Sequence, residues 1–311
     1  MSEFKSKYGV IKGITRASYY PDGQLRECRL VEENRISTEA GILIPKYDFY
    51  ETRTKSRNAM EFYASGELKS AYLEKRQQIE TPFGKIMAEM VTFYEGGSIR
   101  RVFPTYGQIS GYWSEKEEGD LLEGIGIQTD RLQINAKLSC ISQYPSGKLK
   151  SLTLWPGETV TVDTSYGPVT ARIGISLYEN GVIKSLEPSR GTPISTLAGE
   201  FITFDLNAMG IHGDRNSLCF YENAAIKSLT TMHSGIRIAG DGKMETITPV
   251  LVPSMADIEI MVISPIKINF GEKGLAVTDS LGGKHLFSEK EYEFTSFPVS
   301  FGQSSPPVFA D

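Results

Sequence analysis

One phrase recurs along this chain of 311 residues and limits what it can fold into. The stretch "LYENGVIKS" at 177–185 returns at 220–228 as "FYENAAIKS". Four more windows follow the same rule: "YYPDGQLRECRL", "FYASGELKSAYL", "FYEGGSIRRVFP" and "QYPSGKLKSLTL". Counted from Tyr20, Tyr63, Tyr94, Tyr144, Tyr178 and Tyr221, the third residue on is Gly in five windows. The fifth is always Leu or Ile, and the sixth is always Arg or Lys.

Aromatic and aliphatic residues on either side of a Pro-Asp-Gly, Pro-Ser-Gly or Glu-Asn-Gly centre describe a strand, a tight reversal and a second strand. Pro21 and Pro145 hold φ near −65°, which suits a type I turn closed by a left-handed glycine and not a type I′ centre. The windows therefore predict β-hairpins with three-residue loops and positive φ at Gly23, Gly66, Gly97, Gly147 and Gly181. Ala224 takes the glycine position in the last window, where a side chain is strained. Apolar residues after the turn break strict alternation, which predicts a bulge or corner at the basic residue.

Other turns lie between these windows, ending at Gly41, Gly84, Gly107, Gly167, Gly191 and Gly199, each with Thr or Ser shortly before. Glycines 66, 84, 97 and 107 are separated by 18, 13 and 10 residues, and glycines 147, 167, 181 and 191 by 20, 14 and 10. Residues 60–140 and 141–217 thus read as two copies of one unit, 1–59 as a shortened copy and 218–250 as a degraded one. The style changes at 251–311, read as a β-rich cap over the end of the row with a loose tail at 302–311. The fold class expected is all-β: an elongated array of β-hairpin repeats, as an open twisted sheet or a β-solenoid. A β-propeller is the alternative, since several hairpins fall near multiples of forty residues. Helix is scarce, with "YWSEKEEGDLLEGIG" the best exception; Glu115 to Glu118 are expected in a charged loop or a single helical turn.

The formal charge of −5 argues against a nucleic-acid partner. No apolar run reaches the length of a membrane span and no leader-like block opens the chain, so a cytoplasmic location is expected, with peripheral membrane contact left open. Cys28, Cys140 and Cys219 are odd in number and far apart, which fits packed small side chains better than disulfides or a metal site. No metal or cofactor is expected.

The consensus Tyr-x-x-Gly-x-Leu-Lys in the six windows resembles the MORN-repeat variant of bacterial antitoxin-like proteins. The windows cover about a fifth of the chain, without the Tyr-x-Gly-x-Trp opening of the parent motif. The resemblance implies consecutive β-hairpins in a row, with no catalytic machinery in the repeats.

The basic residues Arg26, Lys69, Arg100, Lys150, Lys184 and Lys227 stand once per hairpin at one place and would align into a column. Such a column could bind an anionic ligand, a lipid headgroup or an acidic partner. It could equally be a solvated edge that discourages stray strand pairing. In "GIHGDRN", His212 stands two residues from Asp214, a pair that a hydrolase-like enzyme could use; His233 and His285 follow no ligand spacing. The function expected is a non-enzymatic scaffold for an unidentified protein partner, with anionic-ligand binding and the His212 hydrolase as alternatives.

Overall fold

A computed structural model describes residues 2–48, 53, 58–208, 216–272 and 274–301. The chain is all-β, 58% strand against 2% helix, with a large antiparallel sheet of 17 strands that does not close into a barrel. A propeller would divide its strands into separate four-stranded blades. These strands instead share one sheet, and the remaining described sheets have two or three strands.

Two compact units divide the chain: Met1–Val160 with Ile173–Val182, and Thr161–Arg172 with Ile183–Asp311. In the first unit the strands pair largely in chain order. Ser2–Ser6 pairs with Gly9–Tyr19, which pairs with Leu25–Leu30, then Met60–Phe62, then Leu68–Thr81. The row continues through Gly84–Phe93, Ile99–Phe103, Leu138–Gln143, Leu149–Leu154 and the end of Gly167–Leu177. In the second unit Ile183–Pro188, Leu218–Phe220, Ile226–Thr231, Ile266–Gly271, Gly274–Thr278 and Lys284–Phe287 follow one another in the same way.

The six windows make the same turn. The tyrosine N–H donates to the carbonyl four residues on at 2.7–2.9 Å, and its own carbonyl accepts from the N–H three residues on at 2.9–3.0 Å. Gly23, Gly66, Gly97, Gly147 and Gly181 have φ between 80° and 89°, and Ala224 is forced to 65°. Beyond the turn the strand pairing slips by one residue in five of the hairpins. Gln143 pairs with Leu149 and Ser142 with Ser151, so Lys150 bulges out. Arg26, Lys69, Arg100 and Lys227 are skipped in the same way.

The pairing sets one apolar row across the first unit, from Cys28 through Met60, Ala71, Val91, Val102 and Ile141 to Leu152, all within 1% of fully buried. Cys28 is thus a core side chain, and burial pushes its thiol, like that of Cys140, up to about 12. The glycine intervals of 13 and 14 residues differ by one, and the extra residue is a kink at Ile173. Its φ is 64°, and the following Gly174 approaches so closely that a Cβ would meet the Leu152 carbonyl oxygen at 2.4 Å.

A second set of turns lies over the hairpin tips. In Ser6–Gly9, Thr38–Gly41, Thr81–Gly84, Thr164–Gly167 and Thr196–Gly199 the hydroxyl donates to the glycine carbonyl at 2.6–2.9 Å. Each of these precedes one hairpin and, where contacts are seen, packs on the next but one strand pair. The Tyr8 hydroxyl accepts the Leu68 N–H at 3.0 Å, and the Tyr166 hydroxyl accepts the Ile226 N–H at the same distance. Gly107 does not join this set: its N–H donates to Glu118.

Candidate interaction surface

The hairpin tyrosines and basic residues form one construction. The Tyr20, Tyr63, Tyr94 and Tyr144 hydroxyls donate to the carbonyls of Phe62, Phe93, Gln143 and Leu177, the residue before the tyrosine of the following hairpin, at 2.8–2.9 Å. In the second unit Tyr221 donates to Phe270 at 2.7 Å. Phe270 belongs to a hairpin in the stretch read as a cap, where Gly271 stands in place of the tyrosine. Sequence matching missed it for that reason.

Arg26, Lys69, Arg100 and Lys150 in the first unit, and Lys184 and Lys227 in the second, are all exposed. Arg100, Lys150 and Lys227 lie 5.5–5.7 Å from the ring centroid of their own hairpin tyrosine, and Lys69 is 3.6 Å from Glu61. Successive cations in the first unit stand two strands apart, about 9.6 Å, close to the screening length at physiological salt. The column repels itself little, so its own charge does not call for a bound anion.

Among the described residues three buried carboxylates, Glu89, Glu118 and Glu187, escaped sequence reasoning. Ser114 and Glu117 form a capping box that starts the helix Glu115–Asp120, which turns Glu118 inward. Arg53 donates to Glu118 through Nε at 2.7 Å and through a terminal nitrogen at 2.8 Å, and to Glu89 at 2.9 Å. Trp113 Nε1, the Gly107 N–H and the Thr105 hydroxyl also donate to Glu118. Burial raises the Glu118 carboxyl, but these donors outweigh it and hold it below its ordinary value. A carboxylate so filled with donors clamps a loop and has no free lone pair for chemistry.

Glu187, fully buried in the second unit, accepts from the Ser217 N–H at 2.7 Å, the Ser217 hydroxyl at 3.0 Å and the Asp205 N–H at 3.3 Å. Burial pushes it up to about 7 despite those bonds and Arg172 at 3.9 Å. Nothing polar in the sequence window marks it; it follows Leu186 where the third hairpin carries Phe103. His212 and Asp214 lie outside the described residues. His285 faces Glu245 through Nδ1 at 3.1 Å and Asp279 through Nε2 at 2.8 Å.

The strands Val250–Pro253 and Met261–Ser264 form a separate two-stranded hairpin. Its tip is ordered by the Ser254 N–H on the Ile260 carbonyl at 2.7 Å, the Ile260 N–H on the Asp257 carbonyl at 3.1 Å and the Glu259 N–H on Asp257 Oδ1 at 3.0 Å. Leu251, Met255, Ile258, Ile260 and Met261 are all exposed, Ile258 by 79%. Among the described residues no helix is long and apolar enough to cross a membrane. Neither a scan against protein-family models nor searches of curated proteins and of solved structures finds a match to this chain.

Proposed function

We propose that this chain is a non-enzymatic scaffold of MORN-like hairpin repeats that docks a protein partner through the 250–264 hairpin. The observation that carries this reading is the cluster of five large apolar side chains held in solvent within eleven positions on an ordered tip. Scattered exposed apolar residues are ordinary, whereas a contiguous group on a preformed turn is the usual mark of an interface. Met255 and Ile258, the most exposed of them, would each contribute about 1.5–3 kcal/mol if a partner buried them fully. Asp257 and Glu259 flank Ile258, so the partner has an apolar groove with a basic rim, and an anionic membrane is disfavoured. The recurring turn hydrogen bonds and the tyrosine bonds to the following hairpin support the repeat reading.

The test is a paired capture from native lysate with wild type, a Met255→Asp/Ile258→Asp variant and a Lys150→Glu variant. A companion kept by Lys150→Glu and lost by the tip variant, at an unchanged melting midpoint, supports the proposal. A companion kept by the tip variant, or none for wild type, rejects it. Loss only with Lys150→Glu would favour the second reading, anionic-ligand binding along the basic column of the first unit, which the exposure of Arg26, Lys69, Arg100 and Lys150 supports.

A further inference from the structure

A cavity of about 730 Å³ opens in the second unit at the tip of the 266–278 hairpin, well within the range of small-molecule sites. It stands where the repeat loses a ring. In the hairpin before, Tyr221 reaches the Phe270 carbonyl; at the matching place Gly271 has no side chain to send toward the next strand, Lys284–Phe287. Tyr221, Gly271 and Phe287 all line the opening.

The walls are aromatic. Phe270, Leu275 and Phe287 stand opposite one another on three neighbouring strands and so share one face of the sheet. Tyr292 meets Phe287 edge to face, with ring centroids 5.5 Å apart. All four residues line the cavity, and Phe270 and Phe287 are buried. Tyr221 already carries Lys227, 5.7 Å from its ring centroid, so the rings left for a ligand are Phe270, Phe287 and Tyr292. His285, stacked on Phe287, is taken up by Glu245 and Asp279.

The charge is one-sided. Glu272 and Glu291 line the cavity, both exposed, and among the described residues no Lys, Arg or His does. The other polar liners, Asn269 and Ser288, are neutral. A concave site with charges of one sign concentrates the opposite ion. Here the carboxylates are exposed and the phenylalanines buried, so a cation that enters leaves water mainly for rings. A primary ammonium ion would give up hydrogen bonds to water on that path, whereas a nitrogen dressed in methyl groups has no N–H to satisfy and is drawn to aromatic faces.

The geometry points to a site for a quaternary ammonium ion, a trimethylammonium group carried on an organic body. The methylated nitrogen lies against Phe270, Phe287 and Tyr292, and Glu272 and Glu291 balance its charge. The volume leaves room for the body that carries it.

The experiment is calorimetric and NMR titration of the full chain with choline, its neutral isostere 3,3-dimethyl-1-butanol and ethanolamine, repeated on Gly271→Tyr and on Glu272→Gln/Glu291→Gln. Choline should bind saturably and at least about ten-fold tighter than either comparison compound, one of which lacks the charge and the other the methyl groups. Gly271→Tyr restores the ring of the repeat. A Cβ at 271 meets only the Gly274 carbonyl oxygen at 3.6 Å, an ordinary contact, so this variant should keep or raise the melting midpoint while weakening choline at least about ten-fold. The glutamine pair, at exposed positions, should weaken choline with the midpoint unchanged. A trimethyllysine peptide that binds tighter than choline would place the group on a protein, and the reverse order on a free small molecule. No saturable binding of choline up to about 10 mM, equal binding of either comparison compound, or undiminished binding by both variants would overturn the assignment.

Discussion

Lys150 bulges out of its strand and returns over the ring of Tyr144, its Nζ 5.5 Å from the ring centroid. The bulge and the basic residue are therefore one device: the slip in register frees the side chain to fold back toward the turn. An exposed cation over a tyrosine ring contributes about 0.5–1 kcal/mol. Lys150→Met should lower stability by no more than about 1 kcal/mol in urea denaturation. A loss several times larger would mean that Lys150 holds something besides its own ring.

Ala224 adopts φ 65° because the shared turn requires a left-handed residue there. Ala224→Gly should raise the unfolding free energy by about 1 kcal/mol, offset in part by the greater freedom of glycine in the unfolded chain. A fall in the melting midpoint would show that the sixth turn relaxes differently.

Glu187 titrates at about 7 in the folded chain, above its ordinary value near 4.5, because burial penalises its charge. A raised folded value means that its contribution to stability is complete below pH 4.5 and is lost as pH rises through 7. Stability of the second unit should therefore fall between pH 5 and 8 by an amount on the order of 2–3 kcal/mol. Glu187→Gln should flatten that limb. A wild-type profile that rises over this range, or a variant with the same slope, would contradict the assignment.

What was legible in the sequence is what the chain decides locally. The turn at Tyr144 is closed by Gly147 and Lys148, three and four residues away, so six matching windows suffice to specify it. The slip at Lys150 follows from apolar spacing within the same window. Contacts across long separations left no such trace. Arg53 reaches Glu118 from 65 residues away, and the helix that turns Glu118 inward, expected as a charged loop or a single helical turn, shows no apolar stripe because its inward face is a carboxylate. The Phe270 hairpin was hidden because Gly271 replaces the tyrosine. The exposed tip left no distinct trace, because an apolar run looks the same in sequence whether a neighbour covers it or not.

The tie from one hairpin to the next recurs four times in the first unit, and denaturation of Tyr63→Phe and Tyr144→Phe tests it most directly. Each variant deletes one hydroxyl that donates to the following hairpin, at 2.9 Å in both cases, and keeps the ring. Each should lose about 1 kcal/mol with an unchanged denaturant dependence, and the double variant about twice that. Wild-type stability in both single variants would contradict the claim that each hairpin is fastened to the next through its tyrosine.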